Sequence, residues 1–320
     1  MDSDEPNTDA ARVAVFAPSP ILTVTFEDKR PAPELHLHAG GQGFWVAQML
    51  RALGIDVTFC APLGGEVGGV LRSVLESRGL ELRAVETTLS NGSYVHRRAA
   101  GELTTIGETV SPALTRHEED ALYTIAVAAG LEARLLVLTG TRPDDLLDSE
   151  TYRRLAGDLR TNGVTVVADL SGHALRAALA GGLDVLHLSE RELGEHCGRR
   201  LRDVPGIVAA IDQIHAEGAG NIVVSRGAEV SIALLDERLL ELRGPVFEAR
   251  EHRGAGDSML AAIASALARG HSLDEAVRLG AAAGAVNVLR RGLGTGSRAD
   301  IERVAREVEL RPLRRTSVST

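Results

Sequence analysis

Arg253-Gly254-Ala255-Gly256-Asp257-Ser258-Met259 runs directly into Leu260-Ala261-Ala262-Ile263, so a glycine turn opens an apolar helix. Bare glycines let successive amide N–H groups close on an anion, and the helix dipole favours negative charge at that end. Asp257 adds a carboxylate to the same turn. It can take a proton from a hydroxyl while the amides stabilise a transferring phosphoryl group. Taken alone, the stretch reads equally well as a helix N-cap made by Asp257. A second glycine turn far upstream, Ala39-Gly40-Gly41-Gln42-Gly43-Phe44-Trp45-Val46-Ala47, again feeds a helix. Two such turns, rather than one, raise the expectation of a phosphate-handling site.

Between and around these turns, short apolar runs alternate with helical patterns. Val13-Ala14-Val15-Phe16, Val57-Thr58-Phe59-Cys60, Leu135-Leu136-Val137-Leu138, Val164-Thr165-Val166-Val167, Val185-Leu186-His187-Leu188 and Ile222-Val223-Val224 have the continuous apolar character of strands buried on both faces. Residues 43–53, 66–77, 118–130, 149–161 and 204–217 repeat apolar positions near the 3.6-residue period, and 258–269 and 273–290 form two Ala-rich helices. This βαβ succession predicts an α/β fold: a doubly wound, mostly parallel sheet with helices on both faces. Residues 20–38 and 92–109 break the rhythm with extended, turn-interrupted segments and are expected to form a small β-lid. Residues 227–242 read as two antiparallel strands meeting at Asp236-Glu237-Arg238. One domain over residues 12–309 is expected, with a disordered tail at 1–11 and a basic flexible tail at 310–320.

The 320 residues are 44% hydrophobic and 25% charged, with a net charge of -9. An acidic chain argues against a nucleic-acid or anionic-membrane surface, but a nucleotide needs only amides, one or two cations and a metal. Cys60 and Cys197 lie far apart without metal-type spacing, and the polar, acidic start lacks a signal-peptide layout. A cytoplasmic protein is expected. His36 and His38 alternate on one strand face, and with no carboxylate evident nearby they read as exposed lid histidines rather than metal ligands.

Together the two glycine turns resemble the signatures of the PfkB/ribokinase family of carbohydrate kinases. Thr139-Gly140-Thr141, Asp169-Leu170-Ser171-Gly172 with Ala174-Leu175, and Val224-Ser225-Arg226-Gly227-Ala228 resemble further family segments in the family's order. The branch most similar contains 1-phosphofructokinase and tagatose-6-phosphate kinase. The resemblance implies a ribokinase-like fold, ATP with Mg²⁺, a sugar-like acceptor and a homodimer through the lid. By position, Asp257 is the general base and Gly254, Ala255 and Gly256 the anion hole. Ser189, Glu192, Ser225, Gly227, Gly284 and Asn287 fall along the nucleotide, Glu192 holds Mg²⁺ indirectly, and Glu251 marks a monovalent-cation site for K⁺. Thr23, Gly40, Gly41, Gln42, Trp45 and Arg97 fall to the acceptor.

The departures from the family pattern gather in the acceptor half. Thr23 stands where the family has a sugar-binding Asp, Gln42 where it has Lys, and Trp45 where it has Asn. The family's phosphate-binding Arg would fall near Ser90, with Arg97 the expected substitute. Ser189 replaces Asn and His187 a common Lys. Two readings follow: a kinase for an altered acceptor, or a paralogue that binds nucleotide as a sensor. Retention of Asp257 favours the kinase.

Overall fold

The computed structural model describes residues 11–99, 102–245, 247, 254–289 and 296–314. The central sheet is built on β1 (Arg12–Phe16). Its alternate residues enter two separate cores: Val13 and Val15 pack into one and Ala14 and Phe16 into the other, all fully buried. That two-sided burial is why the strand is continuously apolar.

On one side of β1 lie β4 (Asp56–Gly64) and then β5 (Glu81–Thr87). On the other lie β8 (Leu135–Thr139), β9 (Thr165–Asp169), β10 (Leu183–Ser189) and β11 (Ala219–Arg226), all parallel. The chain thus winds outward through β4 and β5 and returns to the opposite side of β1. The resulting topological switch point falls between β1 and β8, where the carboxyl ends of diverging strands leave a crevice.

One face of the sheet is covered by α1 (Gln42–Ala52), α2 (Gly65–Ser77), α8 (Ala255–Ala268) and α9 (Leu273–Asn287), and the other by α3 (Arg116–Ala133), α4 (Glu150–Thr161), α5 (Gly172–Gly181) and α7 (Val204–Glu217). The doubly wound architecture expected from the sequence is the one observed. β12 (Glu229–Leu235) and β13 (Arg238–Arg243) extend the sheet antiparallel; Asp236 and Glu237 between them both take positive φ, 46° and 64°, as a two-residue I′ hairpin turn requires.

One boundary needs correcting. Residues 310–312, assigned to a tail, belong to β14 (Glu309–Pro312), which pairs Leu310 with Leu242 on the sheet edge. Leu310 and Leu313 find apolar cover there, which a mobile tail would not offer. Residues 1–10 and 315–320 lie outside the described residues, as do Glu251, Arg253, Arg290 and Arg291.

The two irregular segments pair with each other. β2 (Ile21–Glu27), β3 (Glu34–Gly40), β6 (Ser93–Ala99) and β7 (Glu102–Thr109) form a four-stranded sheet in the order β3-β2-β6-β7. Its base is anchored by buried Leu22 and Ala39. Its tip exposes Phe26, Leu35 and Leu37 on one face. Carboxylates do lie near His36, contrary to the expectation from sequence: Glu27 and Glu34 converge on it, because β2 and β3 pair Glu27 directly with Glu34. The Lys29 ammonium, 2.9 Å from Glu34 and 3.6 Å from Glu27, already offsets one of the two carboxylate charges.

Candidate active site

Every strand that ends at the crevice delivers a site residue there. Beyond β1, Ser19 donates its hydroxyl to the Arg142 carbonyl at 2.7 Å. β8 ends at Thr139, β9 at Asp169, and β10 carries His187 and Ser189. The N-termini of α1 and α8 complete the ring.

α1 begins after Gly41, whose φ of 94° lies in the left-handed region; a Cβ there would come within 2.5 Å of the Ser19 carbonyl oxygen. Only glycine serves on both counts. The turn sets Gln42 so that its side chain bridges three elements. Its Oε1 accepts from the Gly140 amide at 2.7 Å, its Nε2 donates to the Asp169 carbonyl at 3.3 Å, and it hydrogen-bonds the Asp257 side chain. Gln42 therefore ties the two glycine turns together, which the sequence did not reveal.

At the start of α8, Gly254 takes a φ of 76° and Asp257 falls in the first helical turn. Asp257 is half-buried, beside the Gln42 and Asp169 that line the crevice. Burial, with the negative charge of Asp169, pushes its pKa up to about 7 against the pull of His187. His187 is 2% exposed, and its Nδ1 lies 2.8 Å from Asp169 Oδ2. A carboxylate only accepts, so Nδ1 carries the proton of that bond. Burial opposes the charged ring, but the hydrogen bond and charge of Asp169, with Glu192 and Asp257 adding, leave its pKa raised.

Ser19, Gly41, Gln42, Gly140, Thr141, Arg142, Asp169, Ser171 and Glu192 line a cavity of about 290 Å³ at the switch point. Thr23, Gly40 and Trp45 come together beside it: a Cβ on Gly40 would meet Thr23 Oγ1 at 3.4 Å and the Trp45 ring at 3.8 Å. Thr23, Tyr94 and Glu108 form one row of register partners across the small sheet. Arg142 reaches that row, its guanidinium 3.7 Å from Glu108 and 6.0 Å from the Tyr94 ring centre. Tyr94, Glu108 and Arg142 were not singled out from sequence, since nothing local to them signals a site.

Arg97, by contrast, is not brought to the crevice. Three residues beyond Tyr94, it projects from the opposite sheet face and pairs with Asp28 through hydrogen bonds of 2.9 and 2.6 Å. Arg142, rather than Arg97, is the arginine that lines the crevice among the described residues.

A neighbouring groove of about 1100 Å³ is lined by Ser189, Arg191, Arg199, Ser225, Arg226 and Gly227, among others. Ser189 and Ser225 are partners in adjacent parallel strands. Glu192 belongs to a capping box on α6 (Glu190–His196): Ser189 Oγ donates to its Oε2 at 2.7 Å, and the Ser189 amide does so at 2.9 Å. Gly284 and Asn287 lie apart from this groove. Both are buried on α9, and Gly284 lets that helix approach the Ala255 carbonyl, which a Cβ would meet at 3.2 Å.

A doubly wound sheet with two helix N-termini meeting over a carboxylate at its switch point defines an α/β phosphotransferase. The chain belongs to the pfkB family of carbohydrate kinases, whose model matches residues 11–300. It is 29% identical over 306 residues to ATP-dependent 6-phosphofructokinase isozyme 2 of Mycobacterium tuberculosis, covering 91% of this chain and 88% of that one. It is 30% identical over 251 residues to 1-phosphofructokinase of Rhodobacter capsulatus, covering 77% and 78%. Phosphofructokinase-2 of Escherichia coli, solved in complex with potassium, superposes with a TM-score of 0.78 at 28% identity, covering 93% of this chain and 98% of that one.

Proposed function

We propose that the chain transfers the γ-phosphoryl group of ATP to a hydroxyl of a sugar, sugar phosphate or related polyol. The observation that carries this is Asp257: a carboxylate in the first turn of a helix, hydrogen-bonded to the Gln42 that lines the cavity, with a pKa pushed up to about 7. A base of that strength takes the acceptor's proton as the hydroxyl attacks; it is half ionised near neutral pH and a carboxylate above it. The amides of Gly254, Ala255 and Gly256 stabilise the charge on the transferred group. The groove along Ser189, Ser225 and Gly227 accommodates the nucleotide, with Arg199, Arg200 and Arg202 supplying positive charge, while Arg191 and Arg226 are paired with Glu195 and Glu190. Glu192 fits an indirect Mg²⁺ site, since its carboxylate lines the cavity rim with a quarter of its side chain exposed. Mg²⁺ there would offset phosphate charge. Glu251 remains the proposed position for K⁺.

In the acceptor half, Trp45 offers an apolar face and Arg142 a cation, while Thr23 supplies a hydroxyl in place of a carboxylate. Loss of a paired hydroxyl contact costs roughly 1–3 kcal/mol. Fructose 6-phosphate is therefore expected to be a poor acceptor. The double variant T23D/W45N should raise kcat/KM for it by about tenfold or more, measured by coupled ADP release; no gain would show that these two positions do not read the acceptor. Turnover with Mg-ATP across sugars, sugar phosphates and polyols tests the function itself. Tight ATP binding with no phosphorylated product from any acceptor would favour the sensor reading.

The four-stranded sheet acts in this reading as a lid over the acceptor, and the apolar tip at Phe26, Leu35 and Leu37 as the face on which a second copy packs. Light scattering at micromolar concentration should give twice the monomer mass, and a monomer would count against that face as the interface.

A further inference from the structure

We propose that Asp169 and His187 form a buried couple that positions the Gly254–Asp257 turn and keeps Asp257 available as a carboxylate. The proposal rests on the reading of Asp257 as the base. His187 interrupts an otherwise apolar strand, Val185-Leu186-His187-Leu188, in the middle of the sheet. Burying an imidazole there costs free energy unless it is paired, and the pairing is incomplete. Nδ1 is bonded to Asp169, its register partner in the adjacent strand, but Nε2 is buried with no hydrogen-bond partner among the described residues. An apolar side chain would suit the position better for stability alone, so the charge and shape of the ring are what call for a purpose.

Shape supplies the first part. The ring edge lies against Gly256, where a Cβ would be only 2.9 Å from His187 Cε1 and 3.5 Å from Asp169 Oδ2. The couple is therefore the floor on which the glycine turn rests. Charge supplies the second. The groups facing Asp257 are Asp169 from β9, His187 from β10, Glu192 from α6 and the neutral amide of Gln42 from α1. Two of these are carboxylates and raise its pKa, and His187 is the one among them that can carry a positive charge and lowers it. Removing it would leave Asp257 facing two uncompensated negative charges.

The test is the pH dependence of kcat/KM with the acceptor varied, in wild type, H187Q, H187K and the double variant D169N/H187Q. H187Q should move the acid limb to higher pH by roughly one unit, because an opposing charge is lost. H187K should keep it near the wild-type position, and D169N/H187Q, which removes both charges, should bring it back down. A purely structural role would lower kcat in these variants and leave the limb in place, and that result would overturn the proposal. If the variants do not fold, nitrogen NMR of His187 in the wild-type protein decides: an imidazolium at pH 7 supports the couple and a neutral ring overturns it. Full activity in D257N would instead remove the underlying assignment of the base.

Discussion

Asp257→Asn should lower kcat by about 10²–10⁴-fold on whatever acceptor the chain phosphorylates, the range expected when a positioned general base is removed. KM for ATP should change little, because the amide oxygen of Asn keeps the size of the side chain and the glycine amides are untouched. The wild-type profile of kcat/KM should rise through an acid limb near pH 7, where Asp257 loses its proton. Any turnover left in D257N should lack that limb. Stability should move the other way. A carboxyl whose folded pKa lies above its unfolded value holds its proton more tightly when folded, so its ionisation opposes folding: the penalty is absent below about pH 4 and fully present above pH 7. D257N should accordingly melt higher than wild type at pH 8 and match it at pH 4. Wild-type turnover in D257N would remove Asp257 from the chemistry. Equal melting at both pH values would show that its carboxylate is not held at a cost.

The main sheet was legible because each of its central strands must be apolar on both faces, and residues such as Val13 to Phe16 carry no other pattern. β5 escaped notice because an edge strand alternates charged and apolar residues, as Glu81-Leu82-Arg83-Ala84 does, and β14 escaped for the same reason amid arginines. The two glycine turns were legible because conformational demands written as glycine are local. What could not be read were contacts set by strand order. Gln42 meets Gly140, 98 residues away, and Arg142 meets the lid row, only because the sheet switches direction at β1. Arg97 was misjudged for a related reason: which face a lid residue occupies depends on register, and an odd offset from Tyr94 turns it away. Asp169 and His187 lay in plain view, and a histidine inside an apolar strand was the available signal.

Gly256→Ala should cost about 10²-fold in kcat/KM although it adds a single methyl group. That methyl would sit 2.9 Å from His187 Cε1, a distance that something must give way to relieve. The imidazole has nowhere to go, being 2% exposed and tied to Asp169 at 2.8 Å, so the turn carrying Asp257 moves instead. Displacement of a reacting group by about 1 Å is enough for a loss of that size. Overpacking should also lower stability by about 1–3 kcal/mol, measured by denaturant unfolding. Gly69→Ala provides the control. It lies in α2 with nothing within 4 Å of the added carbon, so it should leave turnover unchanged and raise stability by about 0.5–1 kcal/mol. The cause can be separated from the effect by making room: in a His187→Ser background the methyl group no longer meets the ring, and Gly256→Ala should cost much less there than in wild type. Equal losses in the two backgrounds would mean that the damage comes from the helix turn itself and not from its contact with His187.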